Sequence, residues 1–193
     1  MRKIVLASTS PYRRNLLKQL ELPFVVASPL YIEEMDQGVA PELLVKHLSF
    51  RKAESLSKHF PDSLIIGSDQ VFVDPRSRIL GKPAGRQGAI EQLKAMVGQQ
   101  HTFYTGVTVF DSETGEAASD YSDFSVTLRN LTDEQIESYV DREKPFDCAG
   151  AFRVEGLGIA LMEKMQGDDY NSLIGLPLIK LTELLGRFGV EVL

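Results

Sequence analysis

A single cysteine, Cys148, stands in a chain of 193 residues, so no intrachain disulfide can form, and three scattered histidines are too few for a structural zinc site. No run of about 18 apolar residues occurs, which excludes a predicted membrane-spanning helix. Basic residues are also scarce: 21 Lys and Arg against 27 Asp and Glu leave a net charge of −6. That balance disfavours broad binding to nucleic acid or anionic lipid, and the lack of interleaved basic and aromatic residues speaks further against an RNA-binding module. After Arg2 and Lys3 the apolar stretch is only Ile4 to Ala7, shorter than the roughly seven residues of a signal-peptide core. No export signal is read, and a reducing, cytoplasmic setting is expected. P-loop, dinucleotide-binding, Gly-x-Ser-x-Gly and paired-histidine motifs are all missing.

What remains is an ordinary globular composition, 43% hydrophobic and 25% charged, sized for one domain over residues 1–193. Turn signals at short intervals separate alternating strands and helices, so a mixed α/β fold is predicted. Lys3 to Ala7 reads as a buried strand, and Ser10 can cap a helix with Pro11 at its first position and Leu16, Leu17 and Leu20 facing inward. Phe24 to Ala27 is a short strand, and Pro41 opens a helix to about Phe60 that carries Lys52. Leu64 to Val73 is a second apolar strand, interrupted by Gly67-Ser68-Asp69-Gln70. A helix follows from about Arg86 to Val97, after a Gly81-Lys82-Pro83 turn. Thr102 to Phe110 and Ser119 to Arg129 form a hairpin, and Thr132 with Gln135 forms a capping box for a helix to about Arg142. A glycine-rich strand from Ala149 to Met162, an acidic loop at Gly167 to Asn171 and a helix from Pro177 to about Arg187 complete the reading.

Asp69 is the first candidate for chemistry, because a carboxylate inside an apolar strand is costly unless it is paired, metal-bound or open to a ligand. It either caps a neighbouring loop or serves as a general base or metal ligand at a sheet edge. Arg13 and Arg14, in the first turn of a helix, suit a phosphate, although one could be solvated and the other paired with a carboxylate. Lys52 and Lys82 are weak signals alone; Gly81 and Pro83 fix the backbone of Lys82 beside the Asp69 strand. Glu155 interrupts a glycine-rich stretch that would permit close approach to a ligand, as would a bulged strand with an exposed acid. Asp168, Asp169 and Asn171 read as a solvated loop, and Cys148 as a small core residue.

Taken together, Leu-Ala-Ser-Thr-Ser-Pro-Tyr-Arg-Arg from Leu6, Lys52-Ala53, Gly67-Ser68-Asp69-Gln70-Val71, Gly81-Lys82-Pro83, Tyr104-Thr105-Gly106-Val107, Cys148-Ala149-Gly150 and Asn171-Ser172-Leu173-Ile174-Gly175-Leu176-Pro177 resemble the Maf family of nucleoside triphosphate pyrophosphatases. The landmarks follow in order over nearly the whole chain. The resemblance implies an elongated mixed α/β sheet flanked by helices, in two lobes with a central cleft, related to inosine triphosphate pyrophosphatases. It implies cleavage of a nucleoside triphosphate between the α and β phosphates with a divalent cation, Mg2+ or Mn2+. Asp69 would be the catalytic base, Arg13, Lys52 and Lys82 would neutralise the phosphates, Ser8 would donate a hydrogen bond, and Glu33 with Asp69 would support the metal. Ile32 stands where relatives commonly carry aspartate.

Within the family, Tyr12, Gln70 and Glu155 resemble the branch acting on 7-methyl-GTP, which carries an aromatic residue, Gln and Glu there. The branch acting on dTTP and UTP carries Arg, Thr and Gln instead. Tyrosine replaces the more familiar tryptophan at the first position. A purine methylated at N7 is positively charged and gains from an aromatic face and a carboxylate. Two rival expectations stand beside this one: a dTTP/UTP pyrophosphatase of the same family, and a nucleotide-sensing regulator of septum formation with incidental hydrolysis. A small-molecule nucleotide is the expected partner, with no stable nucleic acid and no membrane; a homodimer is expected by analogy alone.

Overall fold

The computed structural model describes residues 2–32 and 38–193. The first strand, β1 (Lys3–Ala7), leads into helix α1 (Pro11–Leu17), a 3₁₀ turn and β2 (Phe24–Ala27). Helix α2 (Pro41–Glu54) then precedes β3 (Ser63–Val73). β1 pairs in parallel with both β2 and β3, so the start of the chain is built from β–α–β crossovers. The remaining elements are β4 (Ile79–Leu80), α3 (Gly85–Met96), β5 (Gln100–Asp111), β6 (Ala117–Leu128), α4 (Asp133–Glu143), β7 (Met162–Gly167), α5 (Tyr170–Ile174) and α6 (Leu178–Arg187). Among the described residues the sheet order is β2-β1-β3-β5-β6-β7, with β4 beside β3.

The chain divides into two compact units. One contains Met1–Gln70, Tyr104–Asp123 and Asp168–Leu193; the other contains Val71–Phe103 and Phe124–Gly167. In the first unit, side chains alternate across the sheet. Ile4, Leu6, Leu64, Ile66, Val107 and Val109 pack with the α1 residues Leu16 and Leu17 and with Leu178, Leu181 and Leu185 of α6. Val5, Ala7, Ile65 and Phe110 turn the other way onto Ala53 of α2 and Leu56. This period of two explains why β1 and β3 read as continuous apolar runs: both faces are covered. In the second unit Phe72, Phe103 and Phe152 form an aromatic cluster, with Phe72 and Phe103 centroids 4.4 Å apart. His101 stacks on Phe72, and burial pushes its pKa down.

Three features differ from the sequence reading. The polar run Gly67–Gln70 does not interrupt β3, because each polar side chain in it finds a partner, as described below. Helix α2 stops at Glu54, well before Phe60; beyond it the chain continues in i to i−3 turns, with Ser57 N bonded to Glu54 O and His59 N to Leu56 O. The segment from Ala149 to Met162 is not a strand. It consists of two 3₁₀ turns, Ala149–Ala151 and Leu157–Leu161, joined by a tight bend. Gly150 and Ala151 both have positive φ there, 78° and 55°, which no strand tolerates.

Candidate active site

Asp69 and Lys52 form the centre of the site. β1 ends at Ala7 opposite Gly67, so Asp69 lies two positions past the point where β3 loses its parallel neighbour. Lys52 arrives from the last turns of α2, and its Nζ donates to Asp69 Oδ1 at 2.5 Å. Both residues are buried, at 7% and 6% exposure. A buried charge of either sign is costly, and here each is balanced by the other.

Two glycines make this contact reachable. A Cβ on Gly67 would stand 2.0 Å from Ser49 O, and one on Gly106 would stand 2.2 Å from Val45 O. The α2 backbone therefore rests directly on β3 and β5, a depth only glycine allows. A hydroxyl pair, Ser49 Oγ and Thr108 Oγ1 at 2.9 Å, joins helix and sheet at the same level. Ser63 bonds to Ser112 and Gln70 to Thr105, so β3 and β5 run antiparallel.

The opposite face of β3 carries Ser68 and Gln70. Ser68 Oγ donates to Gly175 O at 3.0 Å, and Arg13 Nε donates to the same oxygen at 2.8 Å. Gln70 Nε2 donates to Ser172 O at 2.8 Å, Leu173 O at 3.1 Å and Thr105 Oγ1 at 3.0 Å. Ser8 follows β1 and is buried; its Oγ accepts from Ser10 N at 3.1 Å, which leaves the hydroxyl proton to donate elsewhere. Ser10 caps α1 by accepting from Arg13 N. Tyr12, one position along, is partly buried, and Arg14 is exposed.

The remaining candidates belong to the second unit or lie outside the described residues. Lys82 is exposed between β4 and α3. Glu155 is exposed on the bend before Leu157–Leu161. That bend is tied down: Leu157 N donates to Glu143 Oε1 at 3.1 Å, Arg153 Nη2 donates to Glu143 O at 2.9 Å, and Gly158 N donates to Arg153 O at 3.0 Å. Arg153 N donates to Tyr139 Oη, whose phenol is pushed well above its ordinary pKa by burial. Glu33 lies outside the described residues. Cys148 is only half-buried; burial, then the neighbouring Asp147, pushes its thiol up to about 12.

Asp169 corrects the reading of a solvated acidic loop. It is 3% exposed, and its two oxygens accept from Asn171 N and Ile179 N, both at 2.9 Å, so one carboxylate caps α5 and reaches the first turn of α6. Gly175, Thr105 and Asp169 are the contributors that residue-type reasoning passed over. Among the described residues no three of His, Cys, Asp and Glu gather as a metal cage. Asp69 offers hard carboxylate oxygens, which suit a Mg2+-type ion whose other ligands are water and substrate phosphates.

A sheet with parallel crossovers, a buried Asp of β3 paired with a Lys of α2, and an arginine pinned to the Gly175 carbonyl define an α/β protein with an embedded ion pair. The chain belongs to the Maf family: the description "Maf-like protein" matches residues 3–188. It is 60% identical over 193 residues, 100% of this chain and 98% of the other, to a protein of Syntrophotalea carbinolica named 7-methyl-GTP pyrophosphatase. Proteins of the same name from Vibrio vulnificus and Pseudoalteromonas translucida are 52% and 50% identical over 99% and 98% of this chain and 97% and 94% of theirs. Among solved structures, a HAM1 protein from Coxiella burnetii aligns over 66% of this chain and 73% of that chain, with a TM-score of 0.46 and 16% identity. No helix among the described residues is long and apolar enough to cross a membrane.

Proposed function

We propose that this protein hydrolyses 7-methyl-GTP between its α and β phosphates, giving 7-methyl-GMP and pyrophosphate. The observation that carries this reading is the buried Lys52–Asp69 pair, set in a chain 60% identical from end to end to a protein named for that reaction. Water attacks the α phosphorus, a new P–O bond forms, the α–β bridging P–O bond breaks, and pyrophosphate leaves. Asp69 takes the proton from the attacking water and later returns it to solvent. Lys52 holds the Asp69 carboxylate in place, and Arg13 and Lys82 balance the phosphate charge. A divalent cation, held by Asp69 and the substrate phosphates, would supply further charge neutralisation. Ser8 donates its hydroxyl proton to a phosphate oxygen.

Base selection falls to Tyr12 and Glu155, which offer a π face and a negative charge to a cationic purine. Gln70 differs in kind: the structure commits its amide nitrogen to the backbone of α5, so its influence on selectivity runs through that helix. The lone cysteine fits a cytoplasmic setting, and a homodimer is carried by analogy. The test is pyrophosphate release from 7-methyl-GTP, GTP, dTTP and UTP at fixed Mg2+. Fastest turnover of 7-methyl-GTP is expected; preference for dTTP or UTP would move the protein to the other branch.

A further inference from the structure

The segment from Asp169 to Pro177 carries a motif for which the chemistry above has no use, yet it holds the carbonyl on which Arg13 and Ser68 converge. Gly175 O accepts from Arg13 Nε at 2.8 Å and from Ser68 Oγ at 3.0 Å. A guanidinium that donates through Nε to a fixed oxygen can no longer turn about its stem, so the plane in which its terminal nitrogens lie is set. Gly175 has φ of +127°, a conformation that side-chain-bearing residues rarely adopt, and an added Cβ would stand 3.5 Å from Arg13 Nε.

The aim of that carbonyl is fixed from several directions. Gly175 N and Leu176 N both donate to Asn171 O, at 3.0 and 3.2 Å. Asn171 and Ile179 are tied together by the two oxygens of buried Asp169. From the sheet, Gln70 and Thr105 both donate to Ser172 O at 2.8 Å, and Gln70 also reaches Leu173 O. These bonds hold the segment to the sheet and to α6.

We propose that residues 169–177 are a positioning brace for Arg13, acting through the Gly175 carbonyl. Gly175 and Asp169 are positioning residues: they act on phosphate only through the guanidinium they orient. The proposal rests on the pyrophosphatase reading, in which Arg13 meets the triphosphate.

The test is a double-mutant cycle with two readouts: calorimetric binding of inorganic tripolyphosphate, and kcat and KM for 7-methyl-GTP. Four proteins are compared, wild type, Gly175→Ala, Arg13→Ala and the double variant. Gly175→Ala is expected to weaken tripolyphosphate binding and to lower kcat/KM by roughly five- to fiftyfold, within the range of coupling between contacting residues, and to change either by less than about twofold once Arg13 is alanine. Equal losses in both backgrounds, or no loss in the first, would overturn the brace and leave Gly175 a residue of general stability. Asp169→Asn, which keeps shape but releases one of the two caps, should show a milder loss that also vanishes with Arg13→Ala; it serves if Gly175→Ala fails to fold, and a loss that persists in the Arg13→Ala background overturns the proposal. A wild type that releases no pyrophosphate from any nucleotide would sink the enzymatic reading, while the tripolyphosphate arm would still decide whether Gly175 acts through Arg13.

Discussion

Lys52 Nζ and Asp69 Oδ1 lie 2.5 Å apart with their side chains only 9% and 8% exposed, so removing either charge unbalances the other. Asp69→Asn should cut pyrophosphate release by roughly a hundred- to ten-thousandfold, the usual cost of losing a general base, while nucleotide binding persists. Lys52→Met should destabilise the fold by about 3 to 5 kcal/mol, because it removes the ammonium that balances a buried carboxylate. The double variant should be more stable than Lys52→Met alone. Denaturant melts of the three variants check this; a double variant less stable than both singles would mean the two residues are not energetically paired.

Gly67→Ala and Gly106→Ala should each lift α2 away from the sheet. An alanine Cβ at 67 would fall 2.0 Å from Ser49 O, a backbone atom that moves only with the helix. A loss of about 2 to 4 kcal/mol is expected, at or above the upper end for overpacking, together with a fall in turnover as Lys52 retreats from Asp69. Thermal melts and initial rates measured on the same samples would show both, and normal rates would mean that helix depth does not control the pair.

Selectivity should follow charge on the base. Glu155→Gln should lower the preference for 7-methyl-GTP over GTP by about five- to 150-fold, and Tyr12→Ala should act in the same direction through the lost aromatic face. A competition assay reads the ratio directly; an unchanged ratio in both variants would place base recognition elsewhere. Lys82→Ala, in contrast, should reduce kcat/KM for every nucleotide alike.

Acid should weaken the fold through Asp111. Its hydrogen bonds from the Arg2 guanidinium hold this carboxyl well below its ordinary pKa, against the opposing pull of burial. A depressed carboxylate contributes stability in full above the unfolded value, about 4, and loses it as pH falls toward the folded value. Asp111→Asn should therefore cost about 2 to 4 kcal/mol at pH 7, with the gap from wild type closing steadily below pH of about 4. A gap that stayed constant on acidification would show that the carboxylate charge is irrelevant.

The legible parts of this molecule are those written in side-chain type. Asp69 announced itself as a charge within an apolar strand, Thr132 and Gln135 as a capping box that the structure forms in full, and the apolar runs of β1 and β3 as buried strands. Lys52 was a weak signal apart from family resemblance, because nothing in a lysine on a helix says that its amine is buried. The Gly175 carbonyl and the Asp169 cap were illegible for a different reason. A backbone oxygen belongs to every residue, and what makes this one special is two donors arriving from 107 and 162 positions away. The bend holding Glu155 was misread as a strand since its glycines resemble a bulge until Glu143 and Arg153 are seen gripping it.

The bond between Arg13 and Gly175 also has a timetable. It closes a loop of 162 residues, and the unit holding both partners is drawn from three separated stretches, the last of them Asp168–Leu193. A chain emerging from the ribosome has made all of Val71–Phe103 and Phe124–Gly167 before that last stretch exists. The carbonyl that orients Arg13 thus arrives after the whole of the second unit, and contacts of such separation are slow to form. Nascent chains stalled before residue 168 would carry Asp69 and Lys52 without the orienting carbonyl, so phosphate recognition would wait for the stretch Asp168–Leu193.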